Sequence, residues 1–174
     1  MANKYGKIFE EQIKKYTPSY ALIHRLPDDA QSFHKNSKLR FSSKKPFDYI
    51  LWDSRKFILY ALELKTVAEK SISFERTKDE KGDIHYHQIK GLNYWNGFDG
   101  TICGFIIEFR SIETTIFLNI EDFNLLISLI SKKSFNFDDL KNHQINYEII
   151  RQTRLKTRYK YDVDNFLKNM NVQK

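Results

Sequence analysis

The chain has 174 residues, of which 41% are hydrophobic, so it falls in the size range of one compact domain with enough apolar material for a core. A formal net charge of +7 favours a polyanionic partner such as nucleic acid, although an acidic membrane surface would also attract it. No apolar run is long enough to span a bilayer, the charged N-terminus lacks an apolar signal core, and a single cysteine excludes a disulfide framework, so a soluble, cytoplasmic protein is expected.

Tyr5, Ile8, Phe9, Ile13 and Tyr16 recur at helical spacing among lysines and glutamates, which predicts an amphipathic helix over 5–16 that Thr17-Pro18-Ser19 stops. Residues 20–25 read as a short strand. Over 26–45 the pattern dissolves into polar residues around Phe33 and Phe41, which predicts a long exposed excursion. Two strands follow at about 47–52 and 57–65, joined as a hairpin by Asp53-Ser54-Arg55-Lys56. A second polar stretch, 68–83, predicts a mobile loop.

Ile89, Leu92 and Trp95 mark the apolar face of a helix over about 85–95, which Gly97 and Gly100 end. Residues 101–109 and 114–120 are β-rich, with Cys103 expected to act as a small buried hydrophobe. Phe123, Leu126, Ile127 and Ile130 predict a helix over 121–132, and 163–170 suits a terminal helix. A helix joining the Glu63 strand to the Thr101 strand implies a crossover to a parallel neighbour. The expected fold class is therefore α/β: a mixed sheet flanked by helices, in one domain spanning 1–174.

Asp48 opens the first hairpin strand and Glu63-Leu64-Lys65 closes the second, so carboxylates and an ammonium stand at the ends of apolar runs. Charges placed there are costly unless partnered. Residues two apart share a strand face, so Glu63 and Lys65 project together while Leu64 points away. Asp48 and Glu63, on adjacent strands, can converge on one hard cation, and Mg²⁺ binds through one or two carboxylates while keeping waters and phosphate oxygens. Lys65 can orient a water nucleophile or neutralise charge on a phosphate. The pattern alone equally allows a strand-start aspartate and a solvated edge strip.

Asp48, fourteen residues, and then Glu63-Leu64-Lys65 match the PD-(D/E)xK nuclease signature. The chain resembles the RecU-type Holliday junction resolvases within that superfamily, through Gly6-x-x-Phe9-Glu10-x-x-Ile13, Phe47-Asp48-Tyr49, His87-Gln88-Ile89 and the strand Thr101-Ile102-Cys103-Gly104-Phe105. The resemblance implies a restriction-endonuclease-like fold with a projecting basic stalk at about 26–45. It implies Asp48 and Glu63 as metal ligands with the Leu64 carbonyl a third, and Lys65 as the catalytic lysine. Glu10 would reach the site from the first helix, in preference to its neighbour Glu11, and Gln88 would fix Lys65 or the scissile phosphate. Pro46 departs from the family, which usually carries threonine there, and Thr66, just after Lys65, is the candidate to supply that hydroxyl; the family's long basic N-terminal arm is also essentially absent. His85 and His87, two apart in a helix, would not share a face, which suits solvent or phosphate contact better than a metal.

Lys35, Lys38, Arg40, Lys44 and Lys45 accumulate beside His34 with no acid between Asp29 and Asp48, and Arg154, Lys156 and Arg158 form a second basic run. Ordinary solvated loops would look the same; the position of the first run in the stalk favours phosphate contact. The expected function is a Mg²⁺-dependent endonuclease, with Mn²⁺ able to substitute, that resolves four-way DNA junctions by paired nicks. A homodimer would match the junction's two-fold symmetry, and recombination proteins are further partners, in a bacterial cell or a phage-infected host. The competing readings are a nuclease of this fold acting on duplex or flapped DNA, and a non-catalytic DNA-binding relative.

Overall fold

The structure, a computed structural model, describes residues 2–27 and 45–170. Its centre is a six-stranded sheet of β1 (Ala21–Arg25), β2 (Tyr49–Asp53), β3 (Ile58–Val67), β5 (Thr101–Phe109), β6 (Thr114–Asn119) and β8 (Glu148–Ile149), in that spatial order. β3 and β5 run parallel; every other neighbouring pair in this sheet is antiparallel. The helix α2 (Tyr86–Asn96) makes the expected crossover between the parallel strands. The mixed sheet flanked by helices is thus observed.

Strand periodicity divides the apolar residues between two cores. On β3 and β5, Ala61, Cys103, Phe105, Ile107 and Phe109 face one side, and Tyr60, Leu62, Leu64, Ile102 and Ile106 the other. The first side is covered by α2 and α3 (Ile120–Leu129) through Ile89, Leu92, Phe123 and Leu126. The second is covered by α1 (Ala2–Tyr16) and α5 (Val163–Asn169) through Phe9, Ile13, Phe166 and Leu167. Both β3 and β5 are buried on both faces, as central parallel strands require. Cys103 is a free, buried thiol that burial pushes up to about 11, so it stays protonated and packs as an apolar group.

The hairpin between β2 and β3 closes with Phe57 in the left-handed region, at φ 55°. Asp53 Oδ1 accepts the Arg55 amide at 2.9 Å, and the Arg55 guanidinium stacks 3.2 Å over the Tyr20 ring. At the end of α2, the chain reverses through Gly100 at φ 78°, where a glycine meets no Cβ penalty.

The stretch 68–83 is not merely a loop. It contains β4 (Ser71–Ser73), which pairs antiparallel with β7 (Ser134–Asn136), and it buries Ile72 and Phe74 completely. Phe74 packs at 5.8 Å from Phe123 and 6.3 Å from Phe135, and Phe105 lies 4.8 Å from Phe123. Fully burying such side chains is worth roughly 1.5–3 kcal/mol each, which is enough to hold a polar segment on the domain. The helix predicted over 121–132 ends early, at Leu129, with Ile130 extended at its C-cap. After it come α4 (Phe137–Asn142) and a hairpin of β9 (Gln152–Arg154) and β10 (Tyr159–Tyr161), with α5 matching the expected terminal helix. Among the described residues, no helix is long and apolar enough to cross a membrane.

Candidate functional site

β2 and β3 pair with Tyr49 opposite Leu62, and the Asp48 amide continues the ladder by donating to the Leu62 carbonyl at 3.2 Å. Asp48 therefore stands across from Glu63. Two residues along the same face, Lys65 Nζ lies 3.0 Å from Glu63 Oε1, and Lys45 Nζ lies 2.7 Å from Asp48 Oδ1. Gln88, in the first turn of α2, reaches the site from above: its Nε2 donates to Glu63 Oε1 at 2.5 Å, while its Oε1 accepts the His85 amide at 2.8 Å. That second bond is half of the helix cap, so the residue that starts α2 also fixes the Glu63 carboxylate.

The Glu63 side chain is only 2% exposed, and its Oε2 is buried without a hydrogen-bond donor. Burial raises its pKa to about 8, the neighbouring Asp48 charge adds to the rise, and Lys65 opposes it. An orphaned carboxylate oxygen beside a second carboxylate fits a hard divalent cation, which would take up the charge that two close carboxylates cannot carry together. Among the described residues, no group of three or more His, Cys, Asp or Glu side chains is gathered to hold a metal. The side chains thus offer the two ligands Asp48 and Glu63, a set that suits an ion retaining water and phosphate oxygens. Leu64 turns its side chain into the opposite core, as alternation requires.

Glu10 is not brought to this group. It is more buried than the exposed Glu11, as expected, but it lies on the opposite face of the sheet, where its Oε2 accepts from Tyr49 Oη at 2.9 Å and Arg25 Nε at 3.2 Å. The cause is the register of α1: Phe9 and Ile13 pack into the core that Tyr49 shares, and Glu10 follows them. Thr66 points to that same side and donates to Glu108 Oε2 at 2.5 Å, so it does not replace the hydroxyl missing at Pro46. Pro46 itself packs on α2, where a Cβ added at Gly91 would meet its Cβ at 2.4 Å.

Lys35, Lys38, Arg40 and Lys44, with His34, Phe33 and Phe41, lie outside the described residues. Lys45 stands at the carboxylates rather than on a separate surface. Arg154, Lys156 and Arg158 occupy the β9–β10 hairpin, which borders a groove of about 260 Å³ against Tyr5, Ile8 and Phe9 of α1. Arg154 pairs with Glu113 at 3.1 Å, and Arg110 lies 4.2 Å over the Tyr5 ring. Tyr161 anchors the hairpin by donating to Glu108 Oε1 at 2.6 Å, and Glu108 is the cross-strand partner of Thr66. The basic hairpin therefore sits at the Lys65 end of the sheet, on the face away from Glu63.

Two further residues join the site's border. Glu75, buried beside β4, accepts the Tyr86 amide at 2.8 Å and contacts His85 Nδ1 at 2.7 Å. Burial raises the Glu75 pKa, but the hydrogen bonds from His85 and Tyr86 outweigh it and hold the carboxyl below its ordinary value. The rings of His85 and His87 stack at 5.5 Å and 14°. Helical spacing failed to anticipate this because His85 is the N-cap, with extended φ −82° and ψ 146°, and so lies outside the helical repeat. Glu75 was concealed in the presumed loop, although the alternation Ser71-Ile72-Ser73-Phe74 before it is a strand signal.

In sequence comparison no family model matches the chain, and no curated protein matches it either.

Proposed function

We propose that this protein is a metal-dependent DNA endonuclease of the PD-(D/E)xK type, with a restriction-endonuclease-like sheet, acting on four-way junctions. The observation that carries the nuclease reading is Glu63: a buried carboxylate with one orphaned oxygen, beside Asp48, and held by Lys65 and Gln88. Asp53 in the β2–β3 hairpin also buries an unpartnered oxygen, so it is the company around Glu63, with Asp48 across the ladder and Lys65 and Gln88 on Oε1, that gives the orphaned Oε2 its weight.

Asp48 and Glu63 would hold Mg²⁺, or Mn²⁺ in its place, and the ion when bound would supply Lewis acidity to the phosphoryl oxygens. Gln88 restrains the Glu63 carboxylate through Oε1, leaving Oε2 for the ligand role. Lys65, ion-paired to the same Oε1, has its ammonium beside the place where a phosphate would meet the carboxylates, where it can align a water nucleophile and offset developing charge. The helix cap makes this preorganisation part of the fold, because moving Gln88 also uncaps α2.

The junction substrate rests on the local RecU-like motifs and on the basic character of the chain. Arg154, Lys156 and Arg158 supply phosphate contacts beyond the catalytic group, and a homodimer would place one site on each of two symmetric strands. The test is a panel of four-way, flapped and linear DNA substrates with Mg²⁺. Paired symmetric nicks in the four-way substrate alone are expected; equal cleavage of linear duplex would overturn the junction assignment and leave a general nuclease.

A further inference from the structure

We propose that His85, oriented by Glu75, is the proton donor to the sugar oxygen that leaves the scissile phosphate, an assignment that rests on the nuclease reading above. Glu75 is a buried carboxylate held ionised by its hydrogen bonds, so it can only accept, and the proton between it and His85 belongs to Nδ1. That leaves Nε2 as the atom offered outward, and among the described residues it has no hydrogen-bond partner. The His85 side chain is 46% exposed, so Nε2 can exchange protons with solvent between turnovers.

The pair is tied to the catalytic group through the His85 main chain and Gln88. Gln88 bonds the His85 amide at one end of its side chain and Glu63 at the other, which makes His85 and Glu63 neighbours through a single residue. Glu75 is fixed in turn by the Tyr86 amide at the start of α2. A carboxylate bonded to imidazole contributes little net positive charge for gripping a phosphate. It is well suited to orienting the ring and fixing the proton on Nδ1, as the carboxylate of a carboxylate–histidine pair does in proton transfer. Lys65 and Lys45 are each ion-paired to a carboxylate of the group, Lys65 to Glu63 and Lys45 to Asp48, whereas among the described residues the outward ring nitrogen of His85 is held by no such pair.

In the step assigned here, a water oxygen forms the new bond to phosphorus and its proton passes to solvent. The bond from phosphorus to the leaving sugar oxygen breaks, and its electron pair stays on that oxygen. The Nε2 proton of the imidazolium moves to the oxygen, leaving neutral imidazole with Nδ1–H still on Glu75.

The experiment compares a junction with its ordinary scissile linkage and one in which sulfur replaces the leaving oxygen, since a thiolate leaves without protonation. His85→Asn keeps a donor for Glu75 and removes the transferable proton; Glu75→Gln is the second variant. Single-turnover cleavage of the oxygen substrate by His85→Asn is expected to fall about 10²- to 10⁴-fold, with the sulfur substrate affected less than about threefold and junction affinity unchanged. Glu75→Gln is expected to show a smaller loss with the same rescue by sulfur. Equal losses on both substrates, or no loss on the oxygen substrate, would overturn the assignment while leaving the nuclease reading intact. A wild-type protein that cuts neither substrate with Mg²⁺ overturns the nuclease reading, and this assignment with it.

Discussion

Glu63 makes a prediction that can be read without substrate. In the metal-free protein its pKa is raised from 4.5 to about 8, chiefly by burial, so the folded state binds a proton over a range where the unfolded state has lost it. A raised folded pKa contributes stability that is complete below about 4.5 and is lost as pH climbs through 8. One proton limits the slope to about 1.36 kcal/mol per pH unit, so between about pH 5.5 and about pH 7.5 the loss is about 2.5 kcal/mol. For a domain of this size that corresponds to roughly 5–10 °C in Tm. The Glu63→Gln variant has no such group, so the difference between wild-type and variant melting curves isolates it from other carboxylates. Saturating Mg²⁺ should flatten the wild-type decline and leave the variant unaffected. Calorimetric or circular-dichroism melts across that range provide the assay. Wild-type and variant Tm values that run parallel with pH would refute the reasoning.

Gly91→Ala forces a Cβ to within 2.4 Å of Pro46 Cβ and 2.7 Å of its carbonyl oxygen, and is expected to cost about 1–3 kcal/mol in urea unfolding. Gln88→Ala removes both the donor to Glu63 and half of the α2 cap, so it should lower stability by about 1–3 kcal/mol and also reduce cleavage. Replacing Arg154, Lys156 and Arg158 together with alanine should leave the melting temperature within about 2 °C, weaken DNA binding, and reduce the slope of log affinity against log salt by about 2–3. An unchanged slope would separate the β9–β10 hairpin from the nucleic-acid surface.

Much of the sheet was legible because its strands carry the signals that local sequence reports best. The span Thr101–Phe109 combines β-branched and aromatic residues with no polar interruption until Glu108, as a strand buried on both faces must. The Asp48, Glu63 and Lys65 grouping followed from a short hairpin and a two-residue period. Gln88 approaches β3 from α2, and its partner is Glu63 rather than Lys65, because only the fold shows how far α2 lies above β3. Glu10 bonds Tyr49 and Arg25 instead for a related reason: whether a helix lies above or below a sheet is a matter of packing, which residue spacing along α1 does not encode. β4 and β7 are only three residues each and bury through pairing with each other, a non-local event. The β9–β10 hairpin is likewise too short and too charged to show a periodicity, yet Tyr161 ties it to Glu108.

The central claim is tested most directly by incubating a synthetic four-way DNA junction with the wild-type protein and with Asp48→Asn and Lys65→Ala, with Mg²⁺ and with the metal chelated. Symmetric nicks by the wild-type protein in Mg²⁺ alone, and none by either variant despite retained junction binding, are the predicted result. Cleavage that survives chelation or either substitution, or wild-type protein that binds the junction and leaves it intact, would contradict the account.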